Sequence, residues 1–155
     1  MLFKGCGINI VTPFTDTNEV DFDSLGRLVD TYINIGAKAL ILGRTTGEFF
    51  AMSDNEILEV VDFVVKRADK RLPVLAQTGL NDTSRSVVLS IRARALGLDG
   101  LIIASPYYSQ GNELGLISHF KSIALAGGLP AYIDNDPART GFNLEPSLIA
   151  KLAEI

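Results

Sequence analysis

Five short apolar runs, each followed by a longer segment of helical periodicity, set the fold class of this chain. The runs are 5–11, 39–42, 73–77, 100–104 and 131–134. They do not alternate apolar with polar residues, the pattern of strands covered on both faces. The segments between them carry helix signals. Asp21 can cap a helix running to about Ile35, with Leu25, Leu28, Val29, Tyr32 and Ile33 on one face. Ser53-Asp54-Asn55-Glu56 has the form of a capping box and opens a helix to about Ala68. Asp82 or Thr83 caps a third, a fourth spans about 113–126 before Gly127-Gly128, and a last one starts near Glu145-Pro146. Residues 135–143 are expected to form a loop. Strict strand–helix alternation specifies an α/β fold with a parallel sheet. A doubly wound five-stranded sheet would be complete at 155 residues. A (β/α)₈ barrel needs roughly 200 or more and would be cut short. No Gly-x-Gly-x-x-Gly follows the first strand, and the pattern alone leaves both open.

Composition narrows the function. Fourteen basic and 18 acidic residues give a net charge of −4 with no basic run, which argues against nucleic-acid binding. No apolar stretch approaches the ~20 residues of a membrane helix, and the N-terminus has no signal-peptide pattern. The single Cys6 falls in the first strand and is expected to be a buried, inert thiol. The single His119 falls within a helix and is expected to be structural or exposed. One Cys and one His give little material for a zinc site. These features fit a reducing cytoplasm.

In either architecture ligands collect at the C-terminal ends of the strands. The groups there are Thr12; Thr45, Thr46 and Glu48; Thr78 and Asn81; Tyr107 and Tyr108; and Asp134, Asn135, Asp136 and Arg139. The glycine-bracketed Gly43-Arg44-Thr45-Thr46-Gly47-Glu48 can wrap hydroxyls and backbone N–H groups around a small anion. Arg139 can grip a carboxylate with two N–H groups at once. The set suits a small oxyacid.

Taken together, Thr12-Pro13-Phe14, Thr45-Thr46-Gly47-Glu48, Thr78-Gly79, Ser105-Pro106-Tyr107-Tyr108 and Pro137-Ala138-Arg139-Thr140-Gly141 resemble the dihydrodipicolinate synthase / N-acetylneuraminate lyase family, in register over essentially the whole chain. The resemblance implies a truncated (β/α)₈ barrel of about five βα units, forming one partial domain over 1–155. It implies metal-free Schiff-base chemistry on a pyruvate-like 2-oxo acid, with aspartate semialdehyde as second substrate in the synthases and no cofactor. Thr45 matches the Thr of the family's proton relay, and Thr46 its neighbour on the pyruvate carboxylate. Tyr108 matches the relay Tyr that crosses a dimer interface, and Tyr107 its interface partner. Arg139 matches the Arg that receives the second substrate's carboxylate. Glu48-Phe49-Phe50 looks more like the family's sugar-acid lyases.

Two departures stand out. Asp134 replaces the family's central relay Tyr, and a carboxylate there is shorter and negative unless its pKa is raised. The Schiff-base Lys of the family falls beyond Ile155, and Lys38, Lys121 and Lys151 are placed away from the pocket. Arg44 adjoins the site but stays protonated and cannot form an imine. The expectation is therefore a chain without family activity on its own, prone to self-association through open sheet edges. Two other readings stand beside it. One is a non-catalytic half-barrel that assembles with itself or with an intact relative. The other is a Mg²⁺-assisted enzyme using Glu48, Asp134 and Asp136.

Overall fold

A computed structural model describes residues 2–109 and 111–155. Its five strands are β1 (Gly7–Asn9), β2 (Ala39–Leu42), β3 (Val74–Gly79), β4 (Gly100–Ala104) and β5 (Ala131–Asp134). They form one parallel sheet in the order β1-β2-β3-β4-β5. The helices are α1 (Phe22–Asn34), α2 (Asp54–Ala68), α3 (Thr83–Ala95), α4 (Glu113–Gly127), α5 (Pro137–Thr140) and α6 (Pro146–Leu152). A 3₁₀ turn, Phe49–Ala51, precedes α2.

Strand order decides between the two architectures. A doubly wound sheet reverses direction at a switch point, so its helices fall on both faces. Here each strand pairs with its sequence neighbour, and right-handed crossovers then place every helix on one side. The result is a curled half-barrel. Outward residues Leu40, Leu42, Val74, Ala76, Leu101 and Ile103 belong to the large core shared with the helices. That core includes Leu25, Val60, Val61, Val64, Leu89 and Ile123, all at or below 1% exposure. Inward residues Ala39, Leu75 and Ile102 form a second, smaller cluster. Leu2, Phe3, Ile41 and Tyr132 pack on it, so the N-terminal residues line the concave side.

The caps hold as the sequence implies. Asp21 accepts from the Ser24 backbone N–H and Asp82 from Arg85, while Asn112, a cap the sequence pattern does not single out, accepts from Gly115. Ser53 and Glu56 make both arms of the capping box. Three local expectations are corrected. Cys6 lies before the shortened first strand and is exposed, because that strand is at the sheet's edge, pairs only with β2 and has no covered outer neighbour at that point. The third strand continues through Thr78 to Gly79, with a register shift after Gln77. Residues Pro137–Thr140 form a helical turn rather than loop, closed by the Gly141 N–H donating to the Pro137 carbonyl.

Candidate functional site

The loop after β2 is folded back on itself. The Gly47 N–H donates to the Gly43 carbonyl at 2.8 Å, and buried Thr12 donates its hydroxyl to the Gly47 carbonyl at 2.7 Å. Glycine is required at both ends. Gly43 has φ +84°, and a Cβ there would lie 2.5 Å from the Phe49 ring. A Cβ on Gly47 would lie 2.7 Å from the Gly43 backbone nitrogen. Arg44 and Glu48 also take left-handed conformations, at φ 56° and 58°. Non-glycine residues rarely sit there, so packing and hydrogen bonds around the loop must hold them.

That unusual backbone accompanies the main contact of the site. Arg44 donates from Nε to Asp134 Oδ2 at 2.9 Å and from Nη2 to Oδ1 at 2.6 Å. This is a two-pronged guanidinium–carboxylate pair linking the C-terminal ends of β2 and β5, with β3 and β4 between them. The Asp134 side chain is 12% exposed and that of Arg44 35%. Both border a cavity of about 190 Å³ on the concave side, whose other walls include Phe3, Ile41, Leu75, Ile102 and Tyr132.

The other sequence-derived positions arrange around this pair unevenly. Thr45 and Thr46 are exposed on the turn. Thr46 Oγ1 is bonded to the Asn9 side-chain amide at 3.1 Å, and Thr45 has no hydrogen-bond partner among the described residues. Tyr107 sets its ring edge-on to Phe50, with centroids 5.0 Å apart. Tyr108 is 97% exposed with φ 71° and makes no hydrogen bond among the described residues. Arg139 is exposed on α5 with no carboxylate partner among them. Thr78 instead serves the fold, accepting from Ser90 of α3 at 2.7 Å. The structure thus joins Asp134 to Arg44, a neighbour of the site in the sequence reading. It leaves Thr45, Tyr108 and Arg139 free of one another.

Among the described residues no three Asp, Glu, His or Cys side chains converge, and both oxygens of Asp134 are already engaged by Arg44. His119 is 3% exposed, with Nδ1 2.8 Å from the Thr83 hydroxyl. Burial pushes its pKa below the usual 6.5, opposed by the Ala104 backbone and by Asp82. Two features escaped sequence reasoning. One is the pairing of Arg44 with Asp134, visible in principle as opposite charges at two strand ends. The other is Gln77, fully buried with both amide atoms lacking a partner among the described residues.

A parallel, sequentially ordered, curled sheet with its polar groups at the strand C-termini defines a protein of the (β/α)-barrel class. The model of the Dihydrodipicolinate synthetase family matches residues 2–155, and the chain belongs to that family. It is 46% identical over 154 residues to a 4-hydroxy-tetrahydrodipicolinate synthase of Caldicellulosiruptor bescii, covering 99% of this chain and 52% of the relative. The dihydrodipicolinate synthase of Aquifex aeolicus superposes with a TM-score of 0.94 at 36% identity, covering 98% of this chain and 52% of that one. A chloride-inhibited dihydrodipicolinate synthase from Acinetobacter baumannii, complexed with pyruvate, gives 0.96 at 36% identity, covering 100% and 53%. The chain spans about half the length of the relatives it matches. No helix among the described residues is long and apolar enough to cross a membrane.

Proposed function

We propose that this chain, read as one partial barrel domain, carries the 2-oxo-acid-binding half of a Schiff-base lyase or synthase related to dihydrodipicolinate synthase. The observation that carries the reading is the Gly43–Gly47 turn. It presents the unpartnered Thr45 hydroxyl and the Thr46 hydroxyl next in sequence to Arg44, which borders the concave cavity. Thr45 and Thr46 take the carboxylate of a pyruvate-like ligand. Tyr108 is the relay hydroxyl and works from across an interface with a second copy, which suits a side chain 97% exposed here. Tyr107 packs at that interface, and Arg139, exposed on α5, contacts the second substrate. The reading requires neither metal nor cofactor.

The chemistry also needs a neutral amine in the pocket. All six lysines, Lys4, Lys38, Lys66, Lys70, Lys121 and Lys151, are exposed, and none borders the concave cavity. We therefore expect no imine on this chain alone. Pyruvate titration by ligand-detected NMR should show saturable binding, weakened about tenfold by Thr45→Val or Thr46→Val, the scale of one hydrogen bond to a charged group. Pyruvate with borohydride should leave the intact mass unchanged. Absence of binding refutes the ligand assignment, and a trapped adduct refutes the missing-amine argument.

A second reading is favoured by the Arg44–Asp134 pair. A carboxylate held by two guanidinium N–H groups is a poor substitute for a proton-shuttling phenol. A non-catalytic half-barrel would present the outer edges of β1 and β5, each paired on one side only. It would assemble with itself or with an intact relative. Sedimentation velocity of the chain, alone and mixed with an intact relative, tests this; a monomer in both sinks it.

A further inference from the structure

The Arg44–Asp134 pair changes what the cavity can recognise. An unpaired arginine on this wall would attract a second acid group. With Asp134 holding Nε and Nη2, the pair has no net charge, and an incoming carboxylate meets Asp134 as well as Arg44. Hydrogen-bonding capacity nonetheless remains. Arg44 Nη1 has no partner among the described residues, and carboxylate oxygens carry more lone pairs than the two bonds use. The wall therefore offers both donors and acceptors without charge. A hydroxyl, itself one donor and two acceptor sites, matches that combination.

Gln77 points the same way. Strand alternation puts it on the face of Leu75, and its register partner is Ile102; both of these border the cavity. Its exposure is 0%, yet neither amide atom has a partner among the described residues. A buried amide with both ends unsatisfied destabilises a fold, and one apolar side chain of similar size would remove the penalty. A side-chain rotation would satisfy both ends by presenting one more neutral donor and acceptor to a ligand in the cavity.

Resting on the 2-oxo-acid reading above, we propose that Arg44, Asp134 and Gln77 are specificity-determining residues. They select a ligand whose chain beyond the 2-oxo acid is uncharged and hydroxyl-bearing over one with a second carboxylate. Asp134 acts as a positioning residue that orients Arg44 and cancels its charge.

The test compares three ligands by ligand-detected NMR titration of the whole chain: pyruvate, a 4,5-dihydroxy-2-oxo acid and 2-oxoglutarate. The chain should bind the dihydroxy acid at least fivefold more tightly than pyruvate, and 2-oxoglutarate no more tightly than pyruvate. Asp134→Asn should reverse the order by freeing the charge of Arg44, so that 2-oxoglutarate gains at least fivefold relative to pyruvate. Gln77→Leu, which removes an unsatisfied amide and should fold at least as well, should lower the dihydroxy-acid preference severalfold. If pyruvate itself does not bind, the 2-oxo-acid reading fails and this one with it. If pyruvate binds but the wild-type ratios are flat, this inference alone fails. A wild-type preference that survives Gln77→Leu and Asp134→Asn overturns the assignment to these residues.

Discussion

Replacing Arg44 and Asp134 singly and together by alanine measures how far the pair holds the curl of the sheet. At about 4 Å between charge centres and an effective dielectric near 20, their attraction is about 4 kcal/mol before solvation is counted. Exposed pairs retain about 0.2–1 kcal/mol of such attraction, whereas breaking a buried pair costs about 3–5 kcal/mol. At 12% and 35% exposure this pair lies between those cases, and its geometry is two-pronged. The expected coupling in a double-mutant cycle is about 1.5–2.5 kcal/mol. The single variants should differ. Arg44→Ala strands a carboxylate that is nearly covered, while Asp134→Ala leaves a guanidinium that already reaches water. Arg44→Ala should therefore be the costlier of the two, even though alanine also removes a long side chain from a strained backbone position. Urea unfolding of the four proteins by circular dichroism gives each free energy. A coupling below about 0.5 kcal/mol, the level of a solvated surface pair, would refute the argument that the concave side shields it.

Other substitutions probe the elements that aim the loop. Phe49→Ala removes a 0%-exposed ring packed under Gly43 and should cost about 3–5 kcal/mol in the same urea assay. Thr12→Val leaves the Gly47 carbonyl without its hydroxyl donor; a loss of about 1–2 kcal/mol and weaker pyruvate binding are expected from unfolding and NMR titration together. Ser53→Ala opens the capping box of α2 and should cost about 1 kcal/mol without altering ligand binding. His119 is held neutral by burial, with a folded-state pKa below the ordinary 6.5. Its contribution is intact above about pH 6.5 and is lost as pH falls toward the depressed folded value, because the unfolded chain takes the proton first. Stability should thus rise with pH up to about 6.5, and His119→Gln should flatten that rise in melting curves at stepped pH.

The legible and illegible parts of this chain divide along a physical line. Helix caps and periodicity are local, so Asp21, Ser53 and Gly127-Gly128 could be read from neighbours a few residues away. Strand identity was equally local, since Ala39–Leu42 and Gly100–Ala104 are continuous apolar runs. Strand order was not. The same five βα units fit a doubly wound sheet, and only the pairing of each strand with its sequence neighbour separates the two. Cys6 departs from the buried thiol expected of a strand residue because burial in a strand depends on having a partner on each side, and β1 has one.

At the site, residue types announced the chemistry but not their contacts. Arg44 and Asp134 are 90 positions apart, and their meeting depends on the curl of a sheet whose strand order the pattern left open. Once the curl is known, the pair accounts for both oddities of the sequence together. A carboxylate at a strand end facing an anionic ligand is unfavourable when taken alone, and so is an arginine at φ 56°. Joined, each supplies what the other lacks: Asp134 gains a counter-charge, and the strained Arg44 backbone aims the guanidinium that provides it. Removing one half of the pair should therefore be worse than removing both or neither. Asp134→Tyr with Arg44 retained leaves an uncompensated cation in the concavity, whereas Asp134→Tyr with Arg44→Gly removes the charge and relieves the left-handed backbone at one stroke. The double variant should melt above the single one, and a single variant that melts as high would show that the two positions act independently.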